Sequence, residues 1–296
     1  MNKEKKELET TPFGRTLKLG KGLLKAGVSF SRHKAAQEII KTMGEMKGAV
    51  MKLGQMLSIT DDLILPPEIA TLFSKLQKDA PPLQTASIMR VVEEELGGKM
   101  EDHFASFDKT PLAQASIGQV HRARLHTGEE VVVKVQYPKM EEAIESDLAN
   151  IDKLISLLTM VSSKIPNVDN IKEEIKKVMR EETDYVQECA SMNFFREKLK
   201  DEYPFILIPK TYERYCTKKI ITMEFMEGDS FETVCNDYSS EEKNHLAQML
   251  FDSFYYCFFV LKKIHADPQN GNYLFRRDGL VLLDFGATRQ FEDHFI

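Results

Sequence analysis

The sequence predicts an α+β chain, with a helical N-terminal extension followed by two small lobes in which helices alternate with short strands. Three observations carry that expectation. Apolar residues recur at spacings of three and four through much of the first 85 residues, the mark of a helix with one buried face. Two β-rich runs, SIGQVHRARL and VVVKVQYP, flank the turn HTGEE, which is how a hairpin reads. From there helical stretches and short strand runs alternate, and the chain closes on a second hairpin, NYLF, RRDG and LVLLDFG.

The 296 residues carry 40 Lys+Arg against 46 Asp+Glu, a net charge of −6, and 42% of them are apolar. That is enough to bury a core in one large domain or two lobes, and it excludes disordered and collagen-like chains. The mild acidity argues against a duplex-DNA binder, and no nucleic-acid partner is expected. Cys189, Cys216, Cys235 and Cys257 are 27, 19 and 22 residues apart, without a C-x-x-C pair or a histidine at zinc-ligand spacing. Reduced, buried thiols are the expectation. The N-terminus MNKEKKELET lacks the apolar stretch of a secretory signal, so an intracellular, non-secreted chain is expected. The most apolar run, Leu246 to Leu261, contains Gln248 and Asp252 and falls short of a membrane span. It reads as a core helix.

Taken in order, residues 11–34 hold six basic and no acidic residues among leucines. They suit either a helix on an anionic membrane surface or a solvated basic helix packing one stripe on its own protein. Residues 35–60 form an amphipathic pattern through Ile39, Met43, Met46, Val50, Leu53 and Leu57. Pro66-Pro67 and Pro81-Pro82 bracket a short helix from Pro67 to Lys78. Beyond the first hairpin, Lys139 to about Lys200 reads as helix, interrupted near Pro166-Asn167, with Asp169 capping a helix that begins at Ile171. Strands are expected at Phe205 to Ile208 and Lys219 to Met223, then a helix from Ser240 to Ile264. The division expected is 1–85 as the helical extension, 86–228 as an N-lobe with a helical insertion, and 229–296 as a partial C-lobe.

The chemistry is concentrated near the C-terminus. His265-x-Asp267-x4-Asn272, followed 17 residues after Asp267 by Asp284-Phe285-Gly286, matches the catalytic-loop and metal-loop pair of kinases in type, order and spacing. In phosphoryl transfer Asp267 would orient or deprotonate the attacking hydroxyl. Asn272 and Asp284 would hold magnesium on the β- and γ-phosphates, and His265 would be structural. Such a site also needs a strand lysine for the phosphates and a helix glutamate to hold it. Lys134 in VVVKV fits the first, and Glu188 is the candidate for the second. A lysine set among core valines would be costly unpaired; the plain alternative is a solvated strand residue. Met223 to Met226 read as the segment between lobes, where the backbone of Glu224 and Met226 would meet adenine.

Three features depart from an ordinary kinase. The expected glycine-rich phosphate loop is replaced by Ala113, Ala115, Ser116 and a single Gly118. A long helical insertion, Lys139 to about Lys177, separates Lys134 from Glu188. Upstream stands Lys52-Leu53-Gly54-Gln55.

With these residues, the chain from about Glu45 to Phe291 resembles the UbiB/ADCK family of atypical protein kinase-like proteins. Four signatures carry the resemblance: K-x-G-Q at Lys52 to Gln55, the alanine-rich loop Ala113 to Gly118, E-x-D at Glu182-Thr183-Asp184, and the H-x-D and D-F-G pair. It implies a protein kinase-like two-lobed fold that binds ATP or ADP with Mg2+. It also implies that the K-x-G-Q helix covers the site, with Lys52 and Gln55 facing Glu182 and Asp184 as a regulatory lid. Lys52 and Gln55 share a helix face at a spacing of three, and Asp184 and Glu188 at four. The plain alternative for Lys52 is a surface ion pair worth under ~1 kcal/mol. The resemblance further implies a role in ubiquinone or isoprenoid-lipid metabolism, with isoprenoid lipid or quinone precursors, a membrane surface and quinone-biosynthesis proteins as partners. Family members continue into a larger C-terminal lobe, whereas this chain stops ten residues after Gly286. An incomplete C-lobe, with apolar surface exposed over Ser240 to Phe291, is therefore expected. Three functions stay open: a slow atypical kinase or ATPase, a catalytically weak pseudokinase-like scaffold for nucleotide or lipid, and a small-molecule phosphotransferase.

Overall fold

The computed structural model of the protein describes residues 85–161 and 168–296. The expected helices at 11–34, 35–60 and 67–78, Lys52 and Gln55, and the break at Pro166-Asn167 lie outside the described residues. The chain divides into two compact units, Gln84–Pro138 with Glu181–Ile296, and a second that includes Lys139–Arg180.

In the first unit, helices α1 (Thr85–Leu96) and α2 (Met100–His103) precede strands β1 (Phe104–Phe107), β2 (Ala113–Ala115), β3 (Gly118–Leu125) and β4 (Glu130–Gln136). With β6 (Ile220–Glu224) they form an antiparallel sheet in the order β1-β3-β4-β6, with β2 paired to the other end of β3. The β3–β4 turn closes at Gly128, whose φ of 103° is open to glycine and strained for other residues. Period-two alternation gives β4 two faces. Val131, Val133 and Val135 pack with Ile88, Val91 and Val92 of α1, with Phe104, and with Ala123 and Leu125 of β3. Each such buried aliphatic side chain contributes roughly 1.5–3 kcal/mol. The i, i+3, i+4 spacing of the α1 residues explains why that helix covers the sheet. The opposite face of β4 carries Val132, Lys134 and Gln136, all buried. Buried polar groups there demand partners, and α5 (Tyr185–Leu199) supplies them.

The rest of this unit holds β5 (Ile206–Leu207), α6 (Phe231–Asp237), α7 (Ser240–Tyr256), β7 (Lys263–His265), β8 (Tyr273–Arg276), β9 (Gly279–Leu282) and β10 (Thr288–Gln290). β8 and β9 make the expected closing hairpin, and β5 joins β9 in parallel. A second small sheet pairs β7 with β10. Helix α7 opens with a capping box between Ser239 and Glu242. It does not run to Ile264 as the apolar pattern suggests. It loosens into a π-type turn over Cys257–Leu261 and stops at Lys262, whose φ of 54° turns the chain into β7. The Lys262 ammonium bonds Asp293 at 2.7 Å, anchoring that turn. Apolar surface is open along this stretch: Phe251, Phe254, Phe259 and Val260 are all exposed.

The second unit contains α3 (Met140–Val161) and most of α4 (Val168–Glu182). Asp152 meets Lys172 and Lys176, and Glu145 meets Arg180, so the two helices run antiparallel. Helix α4 begins at Val168, placing Asp169 in its first turn rather than at the cap, where its charge suits the helix dipole. No helix among the described residues is long and apolar enough to cross a membrane.

Candidate active site

Lys134 is the centre of a charge cluster. Its Nζ donates to Glu188 Oε1 at 2.7 Å and Oε2 at 2.9 Å, and to Asp284 Oδ2 at 2.8 Å. The Lys134 and Glu188 side chains are 8% and 3% exposed, while Asp284 is 33% exposed and is the open side of the cluster. Burial alone would push the Lys134 ammonium down. The Asp284 and Glu188 carboxylates outweigh it and hold the group well above its ordinary range. Burial first, then the neighbouring Asp284 carboxylate, pushes Glu188 up to about 7 against the pull of Lys134. Two carboxylates on one ammonium leave a net negative site.

Two residues of β4 fix where α5 begins. Gln136, two positions beyond Lys134 on the same strand face, donates to the Thr183 carbonyl at 2.8 Å, and Lys134 grips Glu188 one turn later. Between them Asp184 acts as the α5 N-cap, its Oδ1 accepting from the Gln187 amide at 2.9 Å. That corrects the expectation that Asp184 and Glu188 share a face. Asp184 stands outside the helix and is exposed, while Glu188 is buried. Glu182 closes α4 and is partly buried. Its neighbour Glu181 pairs with Arg289 at 2.8 Å.

The catalytic-type loop is bound to the D-F-G segment through backbone contacts. His265 Nε2 donates to the Asp284 carbonyl, which fixes its tautomer. The Ala266 amide donates to the Ala287 carbonyl at 2.9 Å and the Leu283 amide to the Asn272 carbonyl at 3.0 Å, so Asn272 lies beside the strand end that carries Asp284. Asn272 Nδ2 donates to the Asp267 carbonyl at 3.2 Å, which turns its amide oxygen away from that loop. Asp267 itself is partly buried. Phe285 is fully buried between Phe195 of α5 and His265, with ring centroids 5.3 Å from each. A Cβ at Gly286 would stand 3.3 Å from Asp284 Oδ1 and 3.7 Å from Glu188 Oε2, so the smallest residue lets the chain pass the two carboxylates.

The alanine-rich loop is a tight hairpin. Ala113 and Ala115 lie in β2, Ser116 and Ile117 form the turn, and Ala115 pairs with Gly118. A Cβ on Gly118 would come 2.1 Å from the Val135 carbonyl oxygen, which is why this position alone in the loop is glycine. Glu224 ends β6 with its amide donated to the Lys210 carbonyl, and Met226 lies in the extended segment that follows. Among the described residues no group of three or more His, Cys, Asp or Glu converges as a metal cage. The oxygens of Asp284 and Asn272 suit a hard cation whose remaining ligands come from phosphate and water.

Sequence reasoning missed two members of the site. Gln136 was legible as a polar residue at the end of a buried strand. Tyr185 follows Asp184 directly; its ring lies 5.0 Å from Lys134 Nζ and its hydroxyl, fully buried, makes no hydrogen bond among the described residues. Burial pushes its phenol far up.

Residues 75–296 match the ABC1 atypical kinase-like domain. The chain is 36% identical over 263 residues to the mitochondrial atypical kinase COQ8 of Saccharomyces cerevisiae, covering 87% of this chain and 51% of that protein. It is 34% identical over 270 residues to the mitochondrial atypical kinase COQ8B of Rattus norvegicus, covering 88% and 50%. Among solved structures, the Mycobacterium tuberculosis protein Rv3197 in complex with erythromycin aligns with a TM-score of 0.60 at 31% identity, covering 87% of this chain and 65% of that one. The chain thus spans about half the length of these two kinases.

Proposed function

Because the chain belongs to the ABC1 atypical kinase-like family, with the COQ8/UbiB kinases as relatives and a kinase-like fold, we propose that it binds ATP or ADP with Mg2+ and turns ATP over slowly in support of ubiquinone or isoprenoid-lipid metabolism. The observation that carries this reading is the Lys134 clamp. A buried ammonium held by a helix carboxylate and by the Asp of D-F-G is the arrangement that positions nucleotide phosphates.

On this reading Lys134 contacts the phosphates and Glu188 holds its ammonium in place. Asp284 and Asn272 hold the magnesium, which when bound neutralises charge on the β- and γ-phosphates. Asp267 accepts the proton of the attacking hydroxyl or water. Ala113, Ala115, Ser116 and Gly118 line the phosphates through a stiff hairpin, and the Glu224 carbonyl with the Met226 amide meets the adenine edge. Lys52 and Gln55 act as a lid over Glu182 and Asp184. On this reading the chain works at a membrane surface beside quinone-biosynthesis proteins, a placement supported by the mitochondrial location in the names of its COQ8 relatives.

Calorimetry with Mg-ATP and Mg-ADP on the full chain and on Asp284→Asn tests the reading, together with phosphate release. Magnesium-dependent binding that the variant loses is expected. Binding without turnover on any lipid or phenol acceptor would establish the scaffold reading, which the regular strand pairing of the alanine loop favours. No binding by a folded chain overturns both.

A further inference from the structure

The four thiols, expected to be buried, are so only at Cys257; Cys235 is exposed, and Cys189 and Cys216 are partly accessible. A thiol is a weak donor and loses little without a partner. A phenol loses more, and one stands beside the Lys134 charge cluster. Tyr185 is 1% exposed, and its hydroxyl has no hydrogen-bond partner among the described residues. Burying a hydroxyl unpaired is destabilising, and phenylalanine would fill the same space without that cost.

The neighbours of Tyr185 give the hydroxyl a use. Tyr185 opens α5 three residues ahead of Glu188, a spacing that sets both side chains on one helix face. Both are buried, and the Tyr185 ring centroid lies 5.0 Å from the Lys134 Nζ that Glu188 grips. The ammonium has three N–H groups, and all three are in use, two on Glu188 and one on Asp284. A phosphate can therefore take a donor from Lys134 only as a carboxylate gives one up. Asp284, on the open side of the cluster, can exchange the ammonium for a cation and water. Glu188, 3% exposed, cannot: an oxygen released there is stranded unless another donor of the protein replaces the ammonium.

Resting on the nucleotide reading of this site, we propose that Tyr185 is a positioning residue whose hydroxyl donates to Glu188 when Lys134 turns to the nucleotide phosphates. In the ligand-free chain the lysine satisfies both Glu188 oxygens and the phenol is idle. When Lys134 bridges two phosphate oxygens, one N–H stays on Glu188 and the phenol takes the oxygen that the lysine vacates. Burial holds the phenol far above its ordinary range, so it stays protonated and remains a donor. Glu188 thus keeps two hydrogen bonds while its lysine is shared.

Tyr185→Phe removes the hydroxyl and keeps the ring. Urea unfolding without nucleotide and calorimetry with Mg-ADP compare the full wild-type chain with the variant, and a crystal structure of the wild-type Mg-ADP complex locates the hydroxyl. The variant is expected to unfold, ligand-free, at or above the wild-type midpoint, because it loses no bond, and to bind Mg-ADP about tenfold more weakly. In the complex the Tyr185 oxygen is expected about 2.5–2.7 Å from a Glu188 oxygen. A lower ligand-free midpoint would give the hydroxyl a bond in the resting fold, and unchanged Mg-ADP affinity would leave it idle. A hydroxyl that meets phosphate, or nothing, in the complex would remove Glu188 as its partner. Each of these overturns the proposal while leaving nucleotide binding intact. A folded wild-type chain that binds no Mg-ADP overturns the nucleotide reading itself, and the proposal with it.

Discussion

Lys134 on β4 and Glu188 on α5, 54 residues apart, form a buried two-point ion pair in which one ammonium donates to both carboxylate oxygens, at 2.7 and 2.9 Å. The sequence between them includes the whole of α3 and α4, and a strand face and a helix face meet across that separation. Removing one partner leaves the other without its main counter-charge, although Asp284 still contacts the lysine. Glu188→Ala is expected to destabilise the fold by about 2–4 kcal/mol and to weaken nucleotide binding at least tenfold. Urea unfolding and calorimetry measure the two effects, and wild-type values for both would remove Glu188 from the site.

The same glutamate makes stability depend on pH. Burial raises its folded pKa from the ordinary carboxylate range to about 7, so between those values the folded chain binds more protons than the unfolded one. The stabilisation from that extra proton is fully present below the unfolded value and is lost as pH rises through about 7. The ligand-free protein should therefore lose on the order of 2 kcal/mol from this group between pH 5 and pH 8. Glu188→Gln should flatten that part of the profile; an unchanged profile in the variant would assign the dependence elsewhere.

Gly118 is set by contact rather than by backbone angle. With the Val135 carbonyl oxygen 2.1 Å from a would-be Cβ, neither backbone can yield without breaking the β3–β4 pairing. Gly118→Ala should cost about 1–3 kcal/mol or more and distort the hairpin at Ser116. Ala113→Gly, on an exposed strand position, should instead leave the unfolding midpoint nearly unchanged while altering ATP or ADP affinity. Unchanged nucleotide constants in that variant would exclude the loop from binding.

Asp184 separates two roles that one substitution would confuse. As the N-cap of α5 it accepts from the Gln187 amide, so Asp184→Ala should cost about 1 kcal/mol. Asp184→Asn retains the cap and removes the charge. If Asp184 also faces Lys52 in a lid, the Asn variant should keep wild-type stability yet raise ATP turnover and protease sensitivity near residue 52. If both remain at wild-type levels, its role is the cap alone.

Much of the site was legible in the sequence because its chemistry is local. The H-x-D, the later Asn and the D-F-G lie within a hairpin and its flanks, and the alternating valines around Lys134 announce a buried strand. Elements failed where tertiary contact overrode pattern. The apolar run through Leu261 suggested one unbroken helix to Ile264, but β7 is claimed by pairing with β10, so the helix gives way at Lys262. Asp184 and Glu188 have the spacing of one helix face, but whether a residue caps a helix or enters it depends on where the chain is pinned, and Gln136 pins it at Thr183.

Residue types and their spacing by themselves determined the α+β class, the kinase-like motif pair and the need for a carboxylate beside Lys134, because periodicity and the cost of an unpaired buried charge act at every position of a chain. The second contact to Asp284 and the Tyr185 ring over the ammonium were decided only by the tertiary structure. Such contacts span from tens of residues to 150 between Lys134 and Asp284. They exist because β4 is covered on one face by α1 and on the other by α5, a pairing of surfaces that no local pattern encodes.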